Sequence, residues 1–271
     1  MSGVDGIQVD GCRKVFYQTG TGQAVVAIER LDFRIARGEV VAIVGQTGCG
    51  KSTFLNLLIG LDEPTEGRIA IDGRTPYGDF EYFRGKLAAV FQQDRLLPWR
   101  TTLDNCRIGL EILGYNQVEQ VKRAGEWLER VGLAGFLSAY PHELSGGMRQ
   151  RVALARAFAI QPELLVADEA FGHLDEVTAA SLRKNFIELV RVQGNTAVLV
   201  THQLEEAIEM GSRILVFGKP ARLLADIRLD EWPAGELPRL RSAIQRLIQD
   251  NEADPGIQRE KEIARPWHER G

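Results

Sequence analysis

The sequence predicts an α/β fold organised on a parallel sheet, and three observations carry that prediction. Short runs rich in Val, Ile and Leu alternate with longer helical patterns through the middle of the chain, the order in which strands and their covering helices follow one another in such folds. One of these runs, EVVAIV at 39–44, leads straight into a glycine-rich turn and then a helical pattern. Another, at 164–167, ends on the acidic pair Asp168-Glu169.

Taken in order, 7–16 and 25–35 read as antiparallel strands joined through the turn-rich Thr19-Gly20-Thr21-Gly22. Runs at 39–44, 87–91, 164–167, 196–200 and 213–217 read as strands buried on both faces, because they are apolar throughout rather than alternating. Helices are expected at 51–59, 118–131, 145–159, 177–190 and 203–210. In the second of these, Val121, Ala124, Leu128 and Val131 fall on one helical face, which needs a packing partner. Helical patterns from 97 to 140, lying between sheet-like blocks and followed by a further helix, predict an inserted helical subdomain at about 97–160. After Phe217 the strand pattern fades. Leu240, Ile244, Leu247 and Ile248 keep helical spacing, whereas 250–271 is charged, broken by proline, and expected to be a loose tail. Residues 1–217 are thus expected to form the main domain, with 218–271 as a helical extension and tail.

Composition narrows the function. The 271 residues carry 33 Lys+Arg against 37 Asp+Glu, a formal charge of −4, with 44% hydrophobic residues. A chain of this size buries enough surface to fold without disulfide staples. The mild acidity, with no basic run, argues against a nucleic-acid binder. Cys12, Cys49 and Cys106 are odd in number and widely spaced, so no disulfide framework or CxxC metal site can be written. The first residues lack the basic-then-apolar pattern of a secretory signal, and no stretch approaches the ~20 apolar residues that span a bilayer. Any membrane role is expected to come through a partner.

Gly45-Gln46-Thr47-Gly48-Cys49-Gly50-Lys51-Ser52 fits G-x-x-x-x-G-K-[ST], with a strand before it and a helix after. Glycines let backbone N–H groups turn inward around phosphate oxygens, and the helix N-terminus adds positive field. Lys51 is placed to reach the β- and γ-phosphates and Ser52 to hold Mg²⁺. Asp168, at the end of a parallel strand, lies where such sheets bind ligands and can join the Mg²⁺ shell; Glu169 follows, positioned to polarise a water. Cys49 is expected to be a small filler of this loop with no catalytic role, alkylation sensitivity at a helix N-terminus that favours thiolate being the alternative.

Leu144-Ser145-Gly146-Gly147-Met148-Arg149-Gln150-Arg151 directly precedes an apolar helical run. A Ser-Gly-Gly at a helix start is a second anion-binding end, with free N–H groups and a hydroxyl. From 7 to 217 the chain resembles the ATP-binding subunits of ABC transporters. Leu144–Met148 resembles the signature motif of that family. The stretch from Gly45 to Thr53 resembles its Walker A, and that from Leu164 to Glu169 its Walker B. Phe91-Gln92 resembles the Q-loop, Gly172-His173-Leu174-Asp175 the D-loop, and Val200-Thr201-His202 the switch histidine.

The resemblance implies a P-loop ATPase core with a parallel sheet, an N-terminal antiparallel β subdomain and an inserted helical subdomain. It implies a head-to-tail dimer, of two copies or with a related ATPase. Each ATP would lie between the P-loop of one chain and Ser145, Gly146 and Gly147 of the other. Glu169 would be the general base, and His202 would contact the γ-phosphate and orient the water. Gln92 would reach Mg²⁺ and the water and report to a transmembrane partner, while Asp175 would cross the interface. Phe16, just past Lys14 and Val15, would stack on adenine, with Tyr17 as the runner-up.

The stretch from Phe91 to Trp99, continuing through Thr101, Asn105 and Gly109, resembles the nitrate, sulfonate and taurine importer branch. It implies a permease whose coupling helix covers Leu96-Leu97-Pro98-Trp99, an extracytoplasmic solute-binding protein, and a peripheral place on the cytoplasmic face of the membrane. Ala170, His173 and Gln203 depart from the usual residues of the family, without removing a group that hydrolysis needs. A soluble ABC-type ATPase acting on ribosomes or DNA, and a P-loop kinase or GTPase active as a monomer, are the rival readings.

Overall fold

The computed structural model describes residues 6–172 and 176–253. In chain order the strands are β1 (Ile7–Tyr17), β2 (Ala24–Ile35), β3 (Val40–Gly45), β4 (Glu66–Ile71), β5 (Leu87–Phe91), β6 (Leu164–Asp168), β7 (Thr196–Val200), β8 (Arg213–Phe217) and β9 (Ala221–Arg228). The helices are α1 (Lys51–Leu58), α2 (Phe80–Phe83), α3 (Thr102–Ile112), α4 (Gln117–Arg130), α5 (Gly146–Ala159), α6 (Glu176–Gln193), α7 (Leu204–Met210) and α8 (Leu237–Ala253). The described residues divide into two compact units, 6–80 with 198–253, and 81–197.

In the first unit the strands run in the order β4-β1-β2-β9-β8-β3. β1 and β2 form the expected antiparallel hairpin, paired from Ile7↔Ile35 to Tyr17↔Ala24 with shifts of register between Val9 and Val15. β3 lies parallel to β8 from Val41↔Arg213 to Gly45↔Phe217, and all of β3 is buried, which is why it reads as one apolar run. Phe33, Phe54 and Phe217 meet with ring centroids 5.5 to 6.2 Å apart and fasten α1 to this sheet. Aromatic contacts of this kind add about 0.5–1.5 kcal/mol each beyond the area they bury.

Two strands of this unit escape the apolar pattern. β4 begins Glu-Gly-Arg and pairs antiparallel with β1, only its last three residues being buried. β9 pairs antiparallel with β8 and buries Ala221, Leu224 and Ile227, with polar residues between them. Its Asp226 carboxylate accepts from the Arg213 Nε and Nη2 groups at 2.6 Å each. The expectation that strand structure ends at Phe217 is therefore corrected. So is the loose tail over 250–253, because α8 runs to Ala253. Leu240 and Ile244 are fully buried against Val44, Ala207, Ile214, Val216 and Leu224, and Asn251 Oδ1 accepts from the Lys219 N–H at 3.1 Å. Burial and this bond hold the helix in register despite its charged sequence.

In the second unit β5 and β6 pair in parallel from Leu87↔Leu164 to Phe91↔Asp168. Helices α3, α4, α5 and α6 pack around an aromatic core in which Trp127 stacks on Phe158 at 5.2 Å and Phe186 meets both Phe158 and Phe171 at 5.8 Å. α3 starts on a Thr101 cap, α4 on an Asn116 cap and α5 on a Ser145 cap, each oxygen accepting a backbone N–H of the first turn. Among the described residues no helix is long and apolar enough to cross a membrane.

Candidate functional site

The phosphate loop belongs to the first unit. β3 delivers Gly45 from the sheet, the loop turns through a Cys49 N–H to Gln46 carbonyl bond of 3.2 Å, and α1 begins at Lys51. Gly50 caps α1 with φ 113°, and a Cβ there would lie 2.4 Å from the Ala27 carbonyl oxygen. Both the left-handed backbone and the close approach require glycine. Lys51 is 5% exposed, and its Nζ donates to the Gly45 and Gln46 carbonyls at 2.8 Å each. Ammonium and helix N-terminus thus place positive charge on the same turn. Thr47, Gly48 and Ser52 are exposed beside it, and Gln46 and Thr53 are partly buried.

Cys49 packs as the small loop filler expected, not as the alkylation-sensitive alternative. It is 1% exposed, and burial raises the pKa of its thiol despite Lys51 Nζ at 4.0 Å from the sulfur. Desolvation outweighs the helix-terminal field, so the group is a packed, protonated filler rather than a reactive thiol.

His202 lies in the same unit and is exposed. Its neighbour Thr201 is anchored by its N–H to the Ile43 carbonyl at 3.2 Å and by its hydroxyl to Glu206 Oε2 at 2.5 Å. That fixes the imidazole at the start of α7. The phosphate loop and His202 share one cleft of about 410 Å³, lined by Gly45, Gln46, Thr47 and His202 and, from α8, by Arg241, Gln245, Ile248 and Gln249. The α8 wall is the part that sequence reasoning missed. The helical spacing of its apolar residues was the available signal, and it says nothing of where the helix docks. Phe16 is 42% exposed with the Lys14 ammonium 5.0 Å from its ring centroid, and Tyr17 is 70% exposed.

The second unit carries the remaining residues. The β5–β6 register sets Phe91 opposite Asp168, so Gln92 and Glu169 leave adjacent strand ends together. Gln92 Nε2 lies 3.5 Å from Glu169 Oε2, at the long limit of a hydrogen bond. Glu169 has φ 48°, a left-handed conformation costing a non-glycine residue about 1–3 kcal/mol. Ser145 accepts the Met148 N–H at 3.3 Å as the cap of α5. A Cβ on Gly147 would lie 2.7 Å from Thr178 Cγ2, so α6 demands a glycine at that point. Trp99 is 70% exposed beside an exposed Pro98, and Leu96 and Leu97 are partly buried. His173, Leu174 and Asp175 lie outside the described residues.

The profile of the ABC transporter family matches residues 28–172. The chain is 40% identical to the taurine import ATP-binding protein TauB of Rhizobium johnstonii over 80% of its own length and 81% of that protein's. It is 36% identical to the nitrate import ATP-binding protein NrtD of Synechocystis over 87% of each chain. Among solved structures, a dimeric, post-hydrolysis ATP-binding cassette bound to ADP and Pi matches with TM-score 0.74 and 34% identity, over 82% of this chain and 98% of that one. The chain belongs to the ABC transporter family, as an ABC-type ATPase.

Proposed function

We propose that this chain is the energy-coupling ATPase of an importer for a small solute of the nitrate, sulfonate and taurine class. It works as a head-to-tail dimer docked on the coupling helices of a permease at the cytoplasmic face of the membrane. An extracytoplasmic binding protein delivers the solute to that permease. The observation that carries the dimer is the Ser145-capped start of α5. It is a second anion-binding helix end in a chain whose phosphate loop already supplies one, and it is surplus unless a second nucleotide meets it. Similarity to import ATP-binding proteins over four-fifths of the chain supports the transport role.

The residues fit a nucleoside triphosphate. Lys51 Nζ, now on two loop carbonyls, exchanges them for β- and γ-phosphate oxygens, with Gln46, Thr47, Gly48, Cys49, Gly50 and Thr53 offering backbone N–H groups. Phe16, exposed, stacks on adenine. Ser52, Gln92 and Asp168 would hold Mg²⁺, which neutralises phosphate charge when bound. A hydroxyl, an amide oxygen and one carboxylate are hard oxygen donors, a set that suits Mg²⁺ completed by phosphate oxygens. Glu169 takes a proton from the attacking water as oxygen bonds to the γ-phosphorus, and the bond to ADP breaks. His202 contacts the γ-phosphate and orients that water. Ser145, Gly146 and Gly147 of one copy close over the nucleotide of the other, and Asp175 ties the two sites together. Positioning and charge do most of this work.

The test is Glu169→Gln, followed by light scattering with ATP and Mg²⁺. A stable ATP-dependent dimer is expected, together with loss of turnover on Ser145→Ala. A mutant that stays monomeric, with Ser145 dispensable for hydrolysis, overturns the clamp.

A further inference from the structure

Five residues into α5, counting from its cap, stands Gln150, an amide only 4% exposed in a largely apolar core. Its Nε2 donates to the Phe91 carbonyl at 3.1 Å and to the Ala170 carbonyl at 2.7 Å. Phe91 immediately precedes Gln92, and Ala170 immediately follows Glu169. One buried side chain on the helix capped by Ser145 therefore cross-links the backbones that carry the two groups nearest the proposed chemistry.

The same helix grips the residues after Gln92 at further points. Arg149 Nε donates to Asp94 Oδ2 at 2.9 Å and its Nη1 to the Leu144 carbonyl at 2.8 Å. Arg156 donates to the Asp94 and Arg95 carbonyls at 2.8 and 2.9 Å. Glu169 holds its left-handed backbone only where the surroundings enforce it, and the bond to Ala170 is made at the next carbonyl. Charge-assisted and doubly donated bonds of this sort leave α5 little freedom to move without that segment.

We propose that Gln150 is a positioning residue that makes the Ser145 end of α5, Gln92 and Glu169 move as one body. Ser145 meets the nucleotide held by the partner copy, whereas Glu169 acts on the nucleotide held by its own chain. Gln150 therefore converts occupancy of one site into alignment of the other, which is a route for cooperativity between them. The inference rests on the dimeric clamp proposed above.

The experiment uses the full chain with Gln150→Met, which keeps the volume and loses both bonds, and Gln150→Glu, which sets a carboxylate against two carbonyls. ATPase rates are measured against ATP concentration, with separate equilibrium binding of Mg-ATP and a thermal melt. The wild type should show a Hill coefficient above 1. Both variants should bring it to 1 and lower kcat by roughly tenfold or more, Gln150→Glu the further, with nucleotide affinity within about twofold; tenfold corresponds to the loss of one neutral hydrogen bond's net worth. A lowered melting temperature with kcat and Hill coefficient unchanged overturns the proposal, as does a wild-type Hill coefficient of 1. If the buried variants fail to fold, Arg149→Met, at a half-exposed position, removes the Asp94 tie. It should lower the Hill coefficient, and an unchanged value overturns the proposal. Glu169→Gln and Ser145→Ala run alongside. If they leave turnover intact the clamp itself fails; if they abolish it while Gln150→Met behaves as wild type, only this inference fails.

Discussion

The Gln46 side-chain amide in the phosphate loop donates to the Ile248 carbonyl of α8 at 3.0 Å, joining residues 202 positions apart. α8 is thereby a wall of the cleft beside that loop as well as a cover for the sheet. Gln46→Ala removes one neutral hydrogen bond, worth roughly 0.5–1.5 kcal/mol, and should weaken ATP affinity by about two- to tenfold. Titration with a fluorescent ATP analogue measures this. Ile244→Ala removes a fully buried contact of the same helix and should lower unfolding free energy by about 2–5 kcal/mol in urea. Unchanged stability would mean that α8 is not docked in solution.

Gly147 is set by its neighbour on α6. Because a Cβ would stand 2.7 Å from Thr178 Cγ2, Gly147→Ala should displace the first turn of α5 and cut turnover strongly. Thr178→Ser removes that methyl and keeps the hydroxyl. The double variant should recover most of the lost activity, whereas Thr178→Ser alone should be close to wild type. A double variant no better than Gly147→Ala would place the glycine requirement elsewhere, at the nucleotide itself.

The contrast between these two sites shows what could be read in advance. The strands at 196–200 and 213–217 have the expected bounds because burial on both faces leaves a nearly unbroken apolar run. The strand at 87–91 also has its expected bounds, but only Ala88 and Val90 are buried, so the expectation of burial on both faces is corrected there. β4 and β9 hide because half of each faces outward or pairs at an edge, so charged residues interrupt them. The phosphate loop and the Ser-Gly-Gly turn were legible as short local motifs, whose chemistry is fixed by residue type and spacing. Gln150 was not, since its meaning lies in two carbonyls 59 and 20 residues away. For Cys49 the local sequence left two readings open, filler and reactive thiol, and burial decides between them. A helix-terminal field follows from local sequence, but the burial that outweighs it comes from the tertiary fold.

The buried thiol makes its own prediction. The thiolate is the species that alkylates, and burial raises the Cys49 pKa above the ordinary thiol value. The group therefore stays protonated through neutral and mildly alkaline pH, and its thiolate fraction grows only above the usual thiol range. Iodoacetamide at pH 8 should label Cys49 far more slowly in the native protein than in urea, by mass spectrometry of the loop peptide. Cys12 and Cys106, each raised to about 12 by burial, should be protected with it. Rapid native labelling of Cys49 alone would show that the loop opens.

Asn105 supplies the last test, at the exposed Pro98-Trp99 turn. It is fully buried at the start of α3. Its Oδ1 accepts the Leu97 N–H at 2.7 Å, and its Nδ2 donates to the Leu97, Arg100 and Thr101 carbonyls at 3.0 to 3.1 Å. One amide thus moulds the turn from inside, while Trp99 points outward. Asn105→Leu fills the space but takes from the Leu97 N–H its acceptor and from the Arg100 carbonyl its amide donor, at about 1–3 kcal/mol for a group that no water reaches, while the Leu97 and Thr101 carbonyls keep backbone N–H partners. The turn should loosen, exposing the Arg95 and Arg100 bonds to trypsin several-fold faster than in the wild type. Because the phosphate loop takes no part in this network, nucleotide binding should persist. In the proposed complex with a permease, transport should fall by more than basal hydrolysis. Equal losses in the two would show that this turn serves the fold alone and transmits nothing to a partner.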